Sequence, residues 1–186
     1  RAFTSRMAGM PKHSTLKPIP PLKVREDIPF LLEDERCRRG AELGVLRGEF
    51  ALHTLERWPS CVEYVLVDLW QAQSNYLDTN NEDHDYHYTE ALRRLVPFRH
   101  KLNVCRNMTT ICAERFPDGH FDYVYVDARH DYRGVSADLE AWWPKVARGG
   151  LLAGHDYVQQ DDGPAQTGQN WTLNEDGTVD VQGRAV

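Results

Sequence analysis

The stretch that decides the fold is FDYVYVDARHDYRGVSADLEAWWPKVARGGLLAGHDY, residues 121–157. It begins with a β-branched and aromatic run that ends in Asp127, which is typical of a buried strand. Apolar residues at spacings of three and four then predict a helix, and Pro144 predicts that this helix kinks or ends there. Gly149-Gly150 is interpreted as a turn into a second apolar run. The order strand, helix, strand predicts one unit of an α/β sheet with mostly parallel strands.

Acids and histidines follow both predicted strands. Asp127 and His130 come after the first strand, and His155 and Asp156 come after the second. In open α/β sheets, ligands bind in the crevice outside the carboxyl ends of the strands. We therefore expect these four side chains to face one crevice, and they are the first candidates for a functional site.

Composition limits the class of protein. The 186 residues are 41% hydrophobic and 27% charged, which predicts one globular domain with a substantial core. The formal net charge of -6 argues against a nucleic-acid backbone or an anionic membrane as the main partner. No segment has the pattern of a membrane span or a signal peptide. A small molecule is the expected partner, and a homo-oligomer remains open.

The four cysteines, at positions 37, 61, 105 and 112, share no metal-type spacing. Cys61 and Cys105 lie near predicted strands and are interpreted as small buried thiols. Free thiols fit a reducing compartment, so we expect an intracellular and cytoplasmic protein. The basic start, RAFTSRM, leaves import into an organelle open.

The predicted domain organisation has two parts. Residues 1–25 are rich in proline and lysine and are expected to form an extended arm, whereas residues 26–186 form the domain. A short helix is expected after Pro29. The polar segment 158–186 reads as a hairpin. Five parallel strands are predicted with no room for more, and truncation of a longer protein is one interpretation.

The first ligand-binding candidate is a glycine turn. A short strand containing Glu42 leads into a turn bounded by Gly44 and Gly48, and a helix follows over residues 50–58. Such a turn lets a ligand approach the backbone at a helix N-terminus. Glu42 would repel a pyrophosphate but suits a ligand with a positive centre or an amino group. A plain strand–turn–helix is the alternative interpretation.

The next two strands supply further candidates. Asp68 ends the second strand, where an acid commonly accepts hydrogen bonds from both ribose hydroxyls, although a helix N-cap is an alternative. Asn107 and Met108 follow the third strand. They are interpreted as neighbours of an adenine ring, although methionine is more often part of the core.

Residues 70–100 are interpreted as a lid-like insertion above the crevice. Its polar start predicts that Trp70, Tyr76 and a helix near Tyr88 form a wall over the acceptor site rather than part of the core. The acids and histidines at positions 83–87 resemble metal ligands, but a solvated surface is the preferred interpretation.

With these residues in place, the sequence resembles the class I S-adenosylmethionine-dependent methyltransferases. More narrowly it is similar to methyltransferase family 24, in which segments like DLWQAQSNY and the long stretch quoted above recur. The resemblance covers roughly residues 38–186. It implies a doubly wound, Rossmann-like sheet of seven strands, of which the last two would be missing here.

The resemblance also implies a function and a cofactor. The protein is expected to transfer a methyl group from S-adenosylmethionine to a small-molecule acceptor, by O-methylation. The residues implied in cofactor binding are Glu42, Gly44, Gly48, Asp68, Asn107, Met108 and Asp127.

Related O-methyltransferases hold Mg²⁺ at the positions of Asp127 and of an acidic pair after the next strand, which implies metal ligation by Asp127, His155 and Asp156. His130 would be the general base, with Asp127 beside it in the catalytic site. His155 stands where a carboxylate is expected, which either weakens the case for Mg²⁺ or favours a softer divalent ion. A loop histidine without a metal is the alternative interpretation of His155. Three alternatives stay open: a metal-independent methyltransferase with His130 as base, a nucleoside-binding module without catalysis, and a dehydrogenase-like dinucleotide binder. Glu42 and the absence of a third glycine disfavour the last.

Overall fold

A computed structural model describes residues 3–5, 19–73 and 83–156. The strands in these residues are Phe3–Ser5 (β1), Arg39–Leu43 (β2), Glu63–Asp68 (β3), Leu102–Arg106 (β4), Phe121–Val126 (β5) and Val146–Gly154 (β6). The α-helices are Ile28–Asp34 (α1), Glu49–Arg57 (α2), His84–Arg94 (α3), Thr109–Ala113 (α4) and Tyr132–Trp142 (α5). Short 3₁₀ helices cover Arg25–Asp27, Val96–Lys101 and Trp143–Lys145.

The strands form one sheet in the order β1-β6-β5-β2-β3-β4. Strands β2 to β6 pair in parallel, and β1 pairs antiparallel with β6 at one edge. The parallel part of the sheet therefore begins with its middle strand, β2. From there the chain winds to one edge through β3 and β4 and then returns to wind the other way through β5 and β6. The predicted doubly wound α/β fold is confirmed, and its topological switch point lies between β2 and β5.

Both faces of the sheet are covered, which explains why its strands read as nearly continuous apolar runs. On β3, Tyr64 and Leu66 pack with α1, α2 and α3, whereas Val65 and Val67 face the cluster that contains α4 and α5. The alternation follows from the two-residue period of a strand. No helix in the described parts of the chain has both the length and the apolar character needed to cross a membrane.

The end of α5 confirms one local prediction and the start of β6 corrects another. Helix α5 stops at Trp142, and Pro144 lies in the 3₁₀ turn that follows. Gly149-Gly150 does not form a turn ahead of the strand; both glycines lie inside β6, where the pairing with β5 shifts register. A bulge absorbs the extra residues, and the φ of +84° at Gly149 is a conformation that glycine adopts without strain.

Trp70 belongs to the core, contrary to the prediction that it stands in a wall outside it. Its side chain is 2% exposed, and its ring centre lies 4.9 Å from that of Tyr88 in α3. Ala91 of α3 and Leu95 beyond it are fully buried in the same cluster. The polar residues that precede α3 concealed this apolar face in the sequence. Helix α3 also begins at His84, earlier than predicted.

The polar residues at positions 83–87 stabilise the start of α3 and its contact with β4. Asp83 caps α3, because its side chain accepts a hydrogen bond from the amide of Tyr86 (2.9 Å). Asp85 accepts one from the Arg106 guanidinium (2.6 Å), which ties α3 to the end of β4. Of the remaining predictions, Tyr76 and the 158–186 hairpin lie outside the described residues.

The cysteine prediction is wrong for Cys105. This residue, at the end of β4, forms a disulfide with Cys112 in α4. Cys61 is a buried free thiol as predicted, and burial raises its pKa to about 11. Disulfides persist mainly in oxidising compartments, which counts against the reducing compartment inferred from the sequence. Spacing alone did not reveal the pair, because the sequence does not show that the chain turns back between β4 and α4.

Candidate cofactor and acceptor site

A cavity of about 680 Å³ opens at the carboxyl ends of the parallel strands. Seven of the residues singled out in the sequence line it: Glu42, Gly44, Asp68, Asn107, Met108, Asp127 and His130. Trp70 and His84 also line it, so the chain after β3 contributes to the wall as well as to the core. Gly48, His155 and Asp156 are not among the lining residues.

The backbone at Gly44 lies directly against the loop that follows β5. Its φ is +85°, and a Cβ placed there would lie 2.0 Å from the carbonyl oxygen of Asp127. The Gly44 amide donates to Val67 O (2.8 Å), and the Asp127 amide donates to Leu43 O (2.8 Å). Only glycine fits where the backbone at Gly44 approaches Asp127 so closely, and this contact forms the floor of the cavity at the switch point.

Gly48 has a different role. It has a φ of +73° just before α2, and a Cβ there would lie 3.3 Å from Ala91 Cα. Gly48 therefore lets α2 and α3 approach each other, and its predicted contact with the cofactor remains a prediction.

Asp68 organises the turn after β2. Its Oδ2 accepts hydrogen bonds from the amides of Val45 (2.8 Å) and Leu46 (2.9 Å), and its Oδ1 accepts one from the amide of Trp70 (2.8 Å). The Trp70 indole in turn donates to Leu46 O (2.8 Å). A carboxylate has about four lone-pair positions, so the described residues use three of them and leave one on Oδ1. Asp68 can thus shape the turn and still accept one hydrogen bond from a ligand.

Glu42 places a buried carboxyl group on the cavity wall. Its residue is 1% exposed, and the Tyr64 hydroxyl donates to Oε2 (2.7 Å). Burial raises the pKa of Glu42 to about 8; the hydrogen bond from Tyr64 opposes this shift, and the nearby charge of Asp127 adds to it. A cationic ligand group would favour the ionised form, because it compensates the buried charge.

Arg25 was not found by sequence reasoning. It lies in the 3₁₀ helix before α1, yet its guanidinium reaches the cavity, 3.3 Å from Asp127 Oδ2 and 5.1 Å from the ring centre of Phe50. The sequence contains no local signal for this contact, since Arg25 and Asp127 are 102 residues apart in the chain. Arg25 also lies at the predicted boundary of the arm, so the segment before α1 takes part in the site.

Asp127, His130 and Asp156 form a cluster whose ligand atoms all lie within 4.8 Å of one another. His130 Nε2 is 3.3 Å from Asp127 Oδ1 and 3.6 Å from Asp156 Oδ2. His155 Nδ1 is 2.8 Å from Asp156 Oδ1 and 3.8 Å from Asp127 Oδ1. The hydrogen bond with His155 lowers the pKa of Asp156. The described residues contain no second group of this kind. A histidine between two carboxylates can hold a proton or share a divalent ion with them.

The loop after β4 forms another wall. Met108 is 39% exposed and lines the cavity, so its side chain is available to a ligand rather than part of the core. Asn107 lies beside it, and its side-chain oxygen accepts a hydrogen bond from the Met108 amide (2.8 Å). Asp138 of α5 also lines the cavity, although the sequence did not lead us to predict it as a site residue. An acid on the otherwise apolar inward face of a helix is unusual, and this pattern could have identified it.

This geometry defines a class of protein. An open doubly wound sheet, a glycine turn after its first parallel strand, an acid after the second and a cavity at the switch point are typical of domains that bind a nucleoside-containing cofactor. A family model described as a methyltransferase domain matches residues 41–157. The chain therefore belongs to this methyltransferase domain family.

Solved structures share the fold. An O-methyltransferase family protein from Burkholderia thailandensis matches with a TM-score of 0.56 and 16% identity, over 83% of this chain and 45% of that one. The O-methyltransferase from Bacillus cereus in complex with SAH matches with a TM-score of 0.55 and 15% identity, over 77% and 60%. Cofactor-bound Rv0187 from MTB matches with a TM-score of 0.53 and 16% identity, over 83% and 65%.

The present chain thus spans between 45% and 65% of the length of these three structures. At such identities the likeness establishes the fold. No curated protein sequence matches the chain.

Proposed function

We propose that the protein transfers a methyl group from S-adenosylmethionine to an oxygen atom of a small-molecule acceptor. The observation that carries the proposal is that one cavity is lined by Gly44 of the glycine turn, by Asp68, and by Asp127 and His130 of the cluster. The Bacillus cereus relative is an O-methyltransferase in complex with SAH. SAH, S-adenosylhomocysteine, is what remains of the cofactor after methyl transfer, so cofactor and acceptor would lie side by side in this cavity.

The residues fit the chemistry of the cofactor. Glu42 lines the cavity next to the glycine turn, and its carboxylate would compensate the positive charge of the methionine part. The remaining lone pair of Asp68 would accept a hydrogen bond from a ribose hydroxyl. The exposed Met108 side chain would contact the adenine ring, with Asn107 at its edge. The cofactor would therefore lie across the ends of β2, β3 and β4.

The reaction is a displacement in which the acceptor oxygen forms a bond to the methyl carbon as the bond from that carbon to sulfur breaks. The acceptor must lose its proton, and a histidine with a pKa near neutrality can take it. His130 is placed for this task, because its Nε2 lies 3.3 Å from Asp127 Oδ1 and 3.6 Å from Asp156 Oδ2. The protein otherwise contributes alignment of the reacting atoms.

A divalent ion is compatible with the same cluster. Asp127, Asp156 and one of the two histidines, His130 or His155, would hold it, and a mixed nitrogen and oxygen set suits an ion softer than Mg²⁺. Such an ion would lower the pKa of the acceptor hydroxyl. The ion pair between Arg25 and Asp127 favours the metal-independent alternative, because Arg25 already compensates the charge of this carboxylate.

The experiment is a methyl-transfer assay with labelled S-adenosylmethionine and a panel of phenols, sugars and carboxylic acids, with and without excess EDTA. We expect His130→Ala to lower the rate by about 10²–10⁴ while leaving SAH affinity nearly unchanged. His120→Ala is the matched control, since His120 pairs with Glu63 (2.9 Å) at the opposite end of the sheet and should keep the wild-type rate.

The outcomes separate the alternatives. Loss of activity in EDTA that returns with a divalent ion supports the metal-assisted reaction, and full turnover in EDTA supports His130 acting alone. A wild-type rate in His130→Ala contradicts both. Binding of SAH without turnover of any acceptor would support a binding module without catalysis.

A further inference from the structure

A guanidinium group reaches the cavity beside the candidate base. Arg25 lines the cavity, and its Nη1 lies 3.3 Å from Asp127 Oδ2. The other oxygen of this carboxylate, Oδ1, lies 3.3 Å from His130 Nε2. Arg25 and His130 therefore flank one carboxylate, one at each oxygen. If the hydroxyl of an acceptor reaches His130, a second group a few bonds away from that hydroxyl can reach Arg25.

Helix α2 fixes Arg25 in this position. The guanidinium lies over the ring of Phe50, 5.1 Å from the ring centre. The backbone of the same 3₁₀ turn is held by His53, whose Nε2 lies 3.1 Å from Glu26 O. Both Phe50 and His53 belong to α2. A side chain that is already ordered loses less conformational entropy when it binds a ligand, so Arg25 is suited to position an acceptor.

Arg25 keeps hydrogen-bond donors for a ligand. A guanidinium has five N–H donors and no acceptor. The contacts with Glu26, Asp127 and Tyr125 occupy at most three of these donors. The Arg25 side chain is 31% exposed, so the remaining donors are accessible. Two parallel N–H groups of a guanidinium match the two oxygens of a carboxylate, which makes a carboxylate the best-fitting partner.

Arg129 and Arg133 line the same cavity and are the competing sites for an anion. The Arg129 guanidinium donates to Asp131 (2.7 Å) and to Gln73 (3.2 Å), which hold it away from this role. Arg133 lies in the first turn of α5. Arg25 is the arginine whose ion pair joins it to the carboxylate beside His130, so it is the one placed next to the reacting hydroxyl.

We propose that the acceptor is a hydroxy acid, whose carboxylate is bound by the Arg25 guanidinium while its hydroxyl donates to His130. This inference rests on the proposed function, since it names the class of acceptor for the same methyl transfer. The hydroxyl oxygen forms the bond to the methyl carbon as the bond from that carbon to sulfur breaks. The hydroxyl proton goes to His130, SAH leaves, and the carboxylate is unchanged. The competing explanation is that Arg25 only compensates the charge of Asp127.

Calorimetric titration of the SAH-saturated protein with acids and their amides separates the explanations. The ligands are ortho-, meta- and para-hydroxybenzoate and lactate, each paired with its uncharged amide. The best acid should bind the wild-type protein about 10–100-fold more tightly than its amide, because the amide lacks the charge that the guanidinium recognises. In Arg25→Ala this preference should fall below about 3-fold. Arg25→Lys should retain part of it, since lysine keeps the charge but not the fork of donors.

Arg39→Ala is the matched control. It removes the same charge at the amino end of β2, where Arg39 pairs with Glu63 (3.6 Å), and should keep the full preference for the acid. Arg133→Ala should keep it as well. Loss of the preference in Arg133→Ala but not in Arg25→Ala would place the anion at α5 and overturn the role of Arg25. If Arg25→Ala does not fold, Arg25→Gln, which keeps part of the stem over Phe50, replaces it.

The remaining outcomes are decisive too. A purely structural role would weaken acid and amide equally in Arg25→Ala and leave the preference intact, and that result would overturn the assignment. The same holds if no acid binds the wild-type protein more tightly than its amide, whatever the variants do. If SAH itself does not bind, the proposed function fails and this inference with it. If SAH binds and no acid is preferred, only the hydroxy-acid assignment fails.

Discussion

Replacement of Asp68 by alanine removes the acceptor that organises the turn after β2. The Asp68 carboxylate accepts bonds from the amides of Val45, Leu46 and Trp70, at 2.8–2.9 Å. Hydrogen bonds to a charged group are worth about 1.5–3 kcal/mol each, but water can reach parts of this turn. We therefore expect Asp68→Ala to lower the free energy of unfolding by about 3–5 kcal/mol. A domain of ordinary stability would remain folded without denaturant.

The same substitution removes the lone pair that we assign to the ribose. Loss of one bond to a charged acceptor should weaken SAH binding about 10–100-fold, measured by calorimetry on protein shown to be folded. Asp122→Ala is the matched control. The Asp122 carboxylate also accepts two backbone bonds, from the amides of Arg38 (2.7 Å) and Arg39 (3.0 Å), but at the opposite end of the sheet. This control should lose stability and keep SAH affinity within about twofold. Wild-type SAH affinity in folded Asp68→Ala would refute the reasoning.

Two further predictions concern stability. Burial raises the pKa of Glu42 from 4.5 to about 8, so between these values the folded state retains a proton that the unfolded state loses. The free energy of unfolding should therefore fall as the pH rises from about 4.5 through 8, and this part of the pH dependence should be absent in Glu42→Gln. Denaturant unfolding of both proteins at about pH 5 and about pH 8 measures the difference. The Cys105–Cys112 disulfide closes a short loop (sequence separation 7), so Cys112→Ser should lower the free energy of unfolding by about 2–3 kcal/mol. A reductant should destabilise the wild-type protein but leave this variant unchanged.

The parts that the sequence predicted correctly have strong local signals. The strand ending in Asp127 and the helix ending near Pro144 follow from periodicity and from the chemistry of proline. The pairing of neighbouring parallel strands then brings Asp127 and Asp156 together at the carboxyl ends of β5 and β6, although a whole helix separates them in the chain. Residues at the carboxyl ends of strands are therefore the part of a site that the sequence reveals best.

The parts that were missed depend on contacts between distant residues or on what surrounds a side chain. Arg25 reaches Asp127 across the fold, and the Cys105–Cys112 pair depends on how the chain turns between β4 and α4. Trp70 follows a strand and precedes a polar run, so its burial under α3 has no local signature. A periodic pattern describes one element at a time, and these contacts arise only when elements pack.

Binding of the cofactor is the most direct test of the account. Calorimetric titration of the wild-type protein with S-adenosylmethionine, with SAH and, in parallel, with NAD requires no knowledge of the acceptor. We predict that S-adenosylmethionine and SAH compete for one site per chain and that NAD does not bind, because the turn between Gly44 and Gly48 lacks the third glycine of a dinucleotide-binding turn. Binding of NAD in preference to S-adenosylmethionine, or no binding of S-adenosylmethionine and SAH, would contradict the account.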